Sequence, residues 1–144
     1  MLQRNDEDIL NTIYQNSRMA YDSTRQVITK CRNSELSDYL ERQTSRYAGT
    51  CRSARRKLES QGSSPVSVPP VQQAMAHAGI FMKTAFNKKT GHIAELMYDG
   101  TNMGIINIAR SVNHSSNASP EVIRLAEELL SDEEKYADGL RKFL

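Results

Sequence analysis

A chain of 144 residues with a net charge of +2 has the length for one domain and one core, and lacks the excess of either sign that marks polyanion binding or a disordered acidic tail. The opening MLQRNDEDIL has no apolar stretch of the secretory kind, and no later run approaches the length of a membrane span, so a cytoplasmic protein with no membrane contact is expected. A role in nucleic-acid binding finds no support: the basic run of the second predicted helix, Arg42 to Lys57, spreads over several faces without an aromatic platform, and the acids of the last helix, Glu127, Glu128, Asp132 and Glu134, are its expected partners.

From Asp8 to Cys31, residues such as Leu10, Ile13, Tyr14, Ser17, Ala20, Thr24 and Val27 recur at steps of three and four, which predicts an amphipathic helix. Asn33-Ser34 supplies a turn and cap. Leu36, Leu40, Thr44, Tyr47, Cys51, Ala54 and Leu58 then repeat the spacing as far as Gln61-Gly62, giving a second helix folded back on the first. In such a hairpin Cys31 lies beside the turn and Cys51 about 25 Å further along the axis. A disulfide needs Cα atoms within about 7 Å, so both cysteines are expected to be free.

The segment 63–70, SSPVSVPP, cannot continue a helix, because proline has no amide donor and biases its predecessor toward extended geometry. It reads as a crossover. Val71, Met75, Ala78, Met82 and Ala85 then mark the apolar face of a short helix with Pro70 near its first position. A fourth helix runs from Thr90 to about Asn113, with Ile93, Leu96, Met97, Gly100, Thr101, Gly104, Ile105, Ile108 and Val112 inward, and the polar stretch 114–118 closes it. Gly100 and Gly104 are read as packing residues. Ser119 as cap, Pro120 in the first turn and Glu121 near the positive helix end open the last helix, whose stripe is Val122, Ala126, Leu129, Glu133, Tyr136, Leu140 and Phe143. Two-residue alternation is missing throughout, so the fold class is all-α: one domain over 1–144, built as a four-helix bundle with an additional short helix between helices two and three.

Residues equally distant from a hairpin turn share a height in an antiparallel pair. By that measure Ser17, Thr44, Tyr47, Thr101, Glu133 and Tyr136 interrupt the apolar stripes at one central level. One polar residue on the first helix of each hairpin is followed on its second by Thr44…Tyr47 or Glu133…Tyr136, three apart. Di-iron bundles supply one Glu and then Glu-x-x-His in these places.

The run Glu133-Glu134-Lys135-Tyr136-Ala137-Asp138-Gly139-Leu140 resembles the last-helix motif of rubrerythrin-like members of the ferritin-like superfamily, with tyrosine for histidine, and Ser45-Arg46-Tyr47-Ala48 resembles the second-helix counterpart with the same exchange. Residues 74–108 are similar to the middle of a bacterial ferritin-like family of largely unassigned function, with Asp99-Gly100-Thr101 where that family has Glu-Gly-Glu. The resemblance implies six metal positions at Ser17, Thr44, Tyr47, Thr101, Glu133 and Tyr136. Neutral hydroxyls bind hard cations poorly, and Glu133 alone among the six is a carboxylate. The expectation is therefore a non-catalytic bundle without metal or other cofactor, acting through self-association on apolar helix faces or through a protein partner. The alternative is a di-metal carboxylate protein, of iron or manganese, in oxidative stress or metal handling, using Glu41, Glu95, Asp99 and Glu134. A third reading places a small-molecule site around Tyr47, Glu133 and Tyr136.

Glu133 is expected to sit in a hydrogen-bonded hydroxyl layer fed by Tyr47, Tyr136 or the threonines. A one-residue error in phase would instead turn it to solvent. His77, His92 and His114 belong to no zinc-type spacing, and no phosphate loop or nucleophile elbow is present.

Overall fold

The protein, described from a computed structural model over residues 4–115 and 117–144, has five α-helices among these residues and no strand. The first three residues of the N-terminal segment and Ser116 of the loop predicted at 114–118 lie outside that description. The helices are α1 (Arg4–Ile28), α2 (Ser34–Ser60), α3 (Pro70–Ala85), α4 (Thr90–Asn113) and α5 (Pro120–Leu140), with a 3-10 turn over Arg141–Phe143. None of them is long and apolar enough to cross a membrane.

The helix ends follow from local chemistry. Asn33 accepts the amide of Leu36 on its side chain, which satisfies one of the orphan donors at the start of α2. The far end of α2 closes in a Schellman turn, with Ser63 N–H on the Leu58 carbonyl, Gly62 N–H on that of Glu59, and Gly62 at φ +83°. Ser119 caps α5 by accepting from Val122 N–H, Pro120 occupies the first turn, and the Ser119 amide in turn donates to buried Asp6 of α1 at 2.7 Å.

Helix α1 packs along α2 and α4, and α4 packs along α5. α2 meets α5 through long side chains: Tyr39 donates to the Tyr136 carbonyl, Tyr47 and Gln43 donate to Glu133, and Lys57 pairs with Glu121. The core falls into two apolar clusters. One gathers Ile9, Leu10, Ile13, Ala54, Leu58, Ile108, Val122 and Ala126, and the other Val27, Leu36, Leu40, Ile93, Met97, Tyr136, Leu140 and Phe143. In sequence, Ser17, Tyr47, Thr101 and Glu133 each stand between the contributions of their helix to the two clusters, and all four are buried.

Four expectations are corrected. Thr44 is half-buried and returns its hydroxyl to the Leu40 carbonyl of its own helix, while Gln43 is buried in the layer instead. The α2 stripe runs 36, 40, 43, 47, a four-three-four step that follows the helical repeat better than 36, 40, 44, 47. Gly100 is exposed with nothing around the place a Cβ would take, so it is no packing contact. The α3 stripe is inverted: Val71, Met75 and Met82 are 70–72% exposed, while Thr84 is buried and Ile80 is half-buried against the second cluster. Finally, of the basic residues of α2 only Lys57 forms an ion pair among the described residues, and its partner is Glu121, not the acids further along α5. Cys31 and Cys51 are free thiols, half-buried, each with its sulfur against a backbone carbonyl.

Candidate functional site

Glu133 stands on the buried stripe of α5, four residues after Leu129 and three before Tyr136, so helical periodicity delivers a carboxylate to the interior. It is 4% exposed. Tyr47 Oη donates to its Oε2 at 3.1 Å and Gln43 Nε2 approaches Oε1 at 3.4 Å, both from α2. Burial pushes the Glu133 pKa up to about 7, and neighbouring Asp132 adds to the rise, while the hydrogen bonds from Tyr47 and Gln43 hold it back. Near neutral pH the group is thus poised between acid and carboxylate. The Tyr47 phenol is held well above its ordinary range by burial first and then by the charge of Glu133.

Tyr136 does not join this exchange. Its ring stacks on Tyr39 at 5.2 Å between centroids and meets Tyr47 edge-on at 6.2 Å, but its buried hydroxyl has no partner among the described residues. Burial raises its pKa. Thr101 resembles Thr44 in behaviour, donating at 2.7 Å to the Met97 carbonyl one turn back. The two threonine hydroxyls of the central level are therefore spent within their own helices, and Glu133 draws on one phenol and one amide.

A cavity of about 420 Å³ opens beside the acid between α1, α3 and α4. Ser17, Tyr47, Thr101 and Glu133 line it together with apolar Val27, Ile80, Leu96, Met97 and Leu129, and with exposed Lys83 and Asp99. Gly104 belongs to the same wall: a Cβ there would stand 3.8 Å from Glu133 Oε2, so a larger side chain would fill the space next to the acid. On the other side, Gln43, Tyr47, Leu129 and Glu133 border a second depression, of about 570 Å³, between α2 and α5. Tyr47 and Glu133 form the partition between the two.

Of the six sequence-derived positions, Ser17, Tyr47, Thr101 and Glu133 share the cavity wall, Tyr136 lies behind it in the aromatic stack, and Thr44 is outside the group. Gln43 and Gly104 were missed as site residues. Gln43 was legible from the four-three-four spacing of α2, whereas nothing in the sequence distinguishes Gly104 from a packing glycine.

Among the described residues no group of three or more His, Cys, Asp or Glu is placed to hold a metal ion. Glu41, Glu95, Asp99 and Glu134 are all exposed. A di-iron or di-manganese centre does not fit this donor set, which offers one carboxylate, one amide and hydroxyls.

Fold and site together define an all-helical protein with a protonatable acid beside a cavity that opens to the surface. Comparison with protein-family models finds no match to this chain, and comparison with curated proteins and with solved structures finds none either.

Proposed function

We propose that the chain is a non-catalytic, ferritin-like four-helix bundle of α1, α2, α4 and α5, with α3 as its added helix, which binds a small, largely apolar molecule bearing one amine. The observation that carries this reading is the cavity beside Glu133. Its volume lies within the roughly 300–1,000 Å³ of small-molecule sites, and its lining joins apolar side chains to a few polar groups, among which Glu133 is the buried carboxylate. The pairing of α1 with α2 and α4, and of α5 with α4 and α2, supports the bundle. The placement of the acid at the level where ferritin relatives hold metal supports descent of the site from a metal position. A cytoplasmic bacterial setting accords with that resemblance.

An amine suits the acid for a physical reason. Tyr47 and Gln43 already donate to Glu133, so its remaining lone pairs call for a donor from the cavity, and a cation there would restore its charged form. Lys83 and Asp99 at the exposed rim oppose each other in sign and leave Glu133 as the buried charge.

2-Phenylethylamine and its neutral counterpart 2-phenylethanol, titrated against the protein by calorimetry, test the proposal. The amine binds more tightly than the alcohol, and Glu133→Gln abolishes the difference. Because the acid must be ionised, amine affinity falls about tenfold per pH unit below Glu133's pKa of about 7. Gly104→Leu, which fills the cavity beside the acid, abolishes binding of both. Equal affinity of amine and alcohol, or binding unmoved by Glu133→Gln, would refute the reading.

A further inference from the structure

α3 is built inside out. At 100° per residue, Val71, Met75, Ala78, Met82, Ala85 and the following Phe86 fall within one uninterrupted apolar arc, and all are exposed. The polar residues Gln72, Gln73, Lys83 and Thr84 fall on the remaining sides, and it is Ile80 and Thr84 that pack inward. Gln26 of α1 donates to the His77 carbonyl at 2.8 Å and Lys30 lies over the Phe81 ring, so α3 is fixed to α1 with its apolar side outward.

The large side chains of this face, Val71, Met75, Phe81, Met82 and Phe86, are 57–99% exposed. Together they open on the order of 700 Å² of apolar surface, more than the largest patch of a typical monomer, roughly 300–600 Å², and close to the ~800 Å² each partner gives to a standard interface.

We infer that this face is the two-fold interface of a homodimer, in which the α3 helices of two copies pack antiparallel with Ala78 at the axis. Ala78 is both central in the arc and midway along Pro70–Ala85. Placing the axis there sets Ala74 opposite the partner copy's Met82, Val71 opposite its Ala85 and Met75 opposite its Phe81, so small and large side chains alternate across most of the seam.

Charge selects the same orientation. α3 has no acidic residue in its first turn, and its lysine Lys83, with Lys88 and Lys89 beyond, gathers at the C-terminal end. A parallel pair would stack these lysines. The antiparallel pair parts the two Lys83 residues by about 15 Å along the seam, beyond the ~8–10 Å range of unscreened repulsion. An anionic lipid surface is the competing occupant, but helices of that kind carry lysine and arginine along the polar face. Here that face holds one lysine and is turned partly against α1. The inference stands on the α3 face and is independent of the cavity's ligand.

Light scattering of the purified chain at tens of micromolar gives the mass of a dimer. Met82→Asp, at a position exposed within one copy, keeps the helical circular-dichroism spectrum and weakens dimerisation at least a hundredfold. Ala78→Cys forms an intermolecular disulfide under copper-phenanthroline oxidation, whereas Ala85→Cys does not, because its own copies stand about 21 Å apart along the seam and a disulfide needs about 7 Å. A monomeric wild type, a dimer untouched by Met82→Asp, or cross-linking at 85 in preference to 78 would overturn the assignment. So would a chain that stays monomeric and instead co-sediments with phosphatidylglycerol vesicles.

Discussion

At Glu133 the sequence places an acid where a core would otherwise be apolar, and the fold answers with two donors and not with a cation. Because its pKa in the folded chain is raised to about 7, the folded state holds a proton that the unfolded state releases near 4.5. The stabilisation from that proton is complete below the unfolded value and is lost as pH rises through about 7. Unfolding in urea at pH 5 and pH 8 should therefore show a loss of roughly 1–3 kcal/mol, and Glu133→Gln should remove most of it. Tyr136 is the opposite case. A buried hydroxyl with no partner has a desolvation cost and no return, so Tyr136→Phe should be neutral or stabilise by about 1 kcal/mol in the same assay, the stacking on Tyr39 being retained. The sequence made Glu133 legible because it breaks an otherwise apolar stripe at a helical step. It misassigned Tyr136 to the same network, because spacing gives the side of a helix and not the reach or direction of a phenol.

At the scale of the helix, capping signals were read correctly because they act over three or four residues: Asn33, Gly62, Ser119 and Pro120 each sit where the helix ends require them. Inward faces were less secure. For α5 every residue of the expected stripe is buried, since polar positions alternate with it at a clear helical period. For α3 the apolar stripe exists but faces outward, and a period cannot say which side of a helix its neighbour lies on. Two glycines illustrate how tertiary surroundings override propensity. Gly100, exposed and with nothing within 4 Å of the place a Cβ would take, should gain from alanine: Gly100→Ala is expected to stabilise by about 1 kcal/mol in thermal unfolding. At Gly139 a Cβ would fall on the Tyr39 hydroxyl, which donates to the Tyr136 carbonyl at 2.9 Å. Gly139→Ala should displace Tyr39 and destabilise by about 1–2 kcal/mol despite alanine's better helix propensity.

Across the whole molecule, an all-helical fold with a crossover at 63–70 was legible because proline content and hydrophobic period both act locally. The cavity was not, since empty space depends on how far apart α1, α3 and α4 come to rest. The division of the core into two apolar clusters with Glu133 between them has a practical consequence. The chain has six tyrosines and no tryptophan, and Tyr47 donates directly to the acid while Tyr39 and Tyr136 stack beside it. Ultraviolet emission from this protein therefore comes from phenols alone, and one of them is wired to the carboxylate at the centre of the fold. Protonation there, or a guest molecule arriving beside it, writes itself into the protein's own light without any added dye.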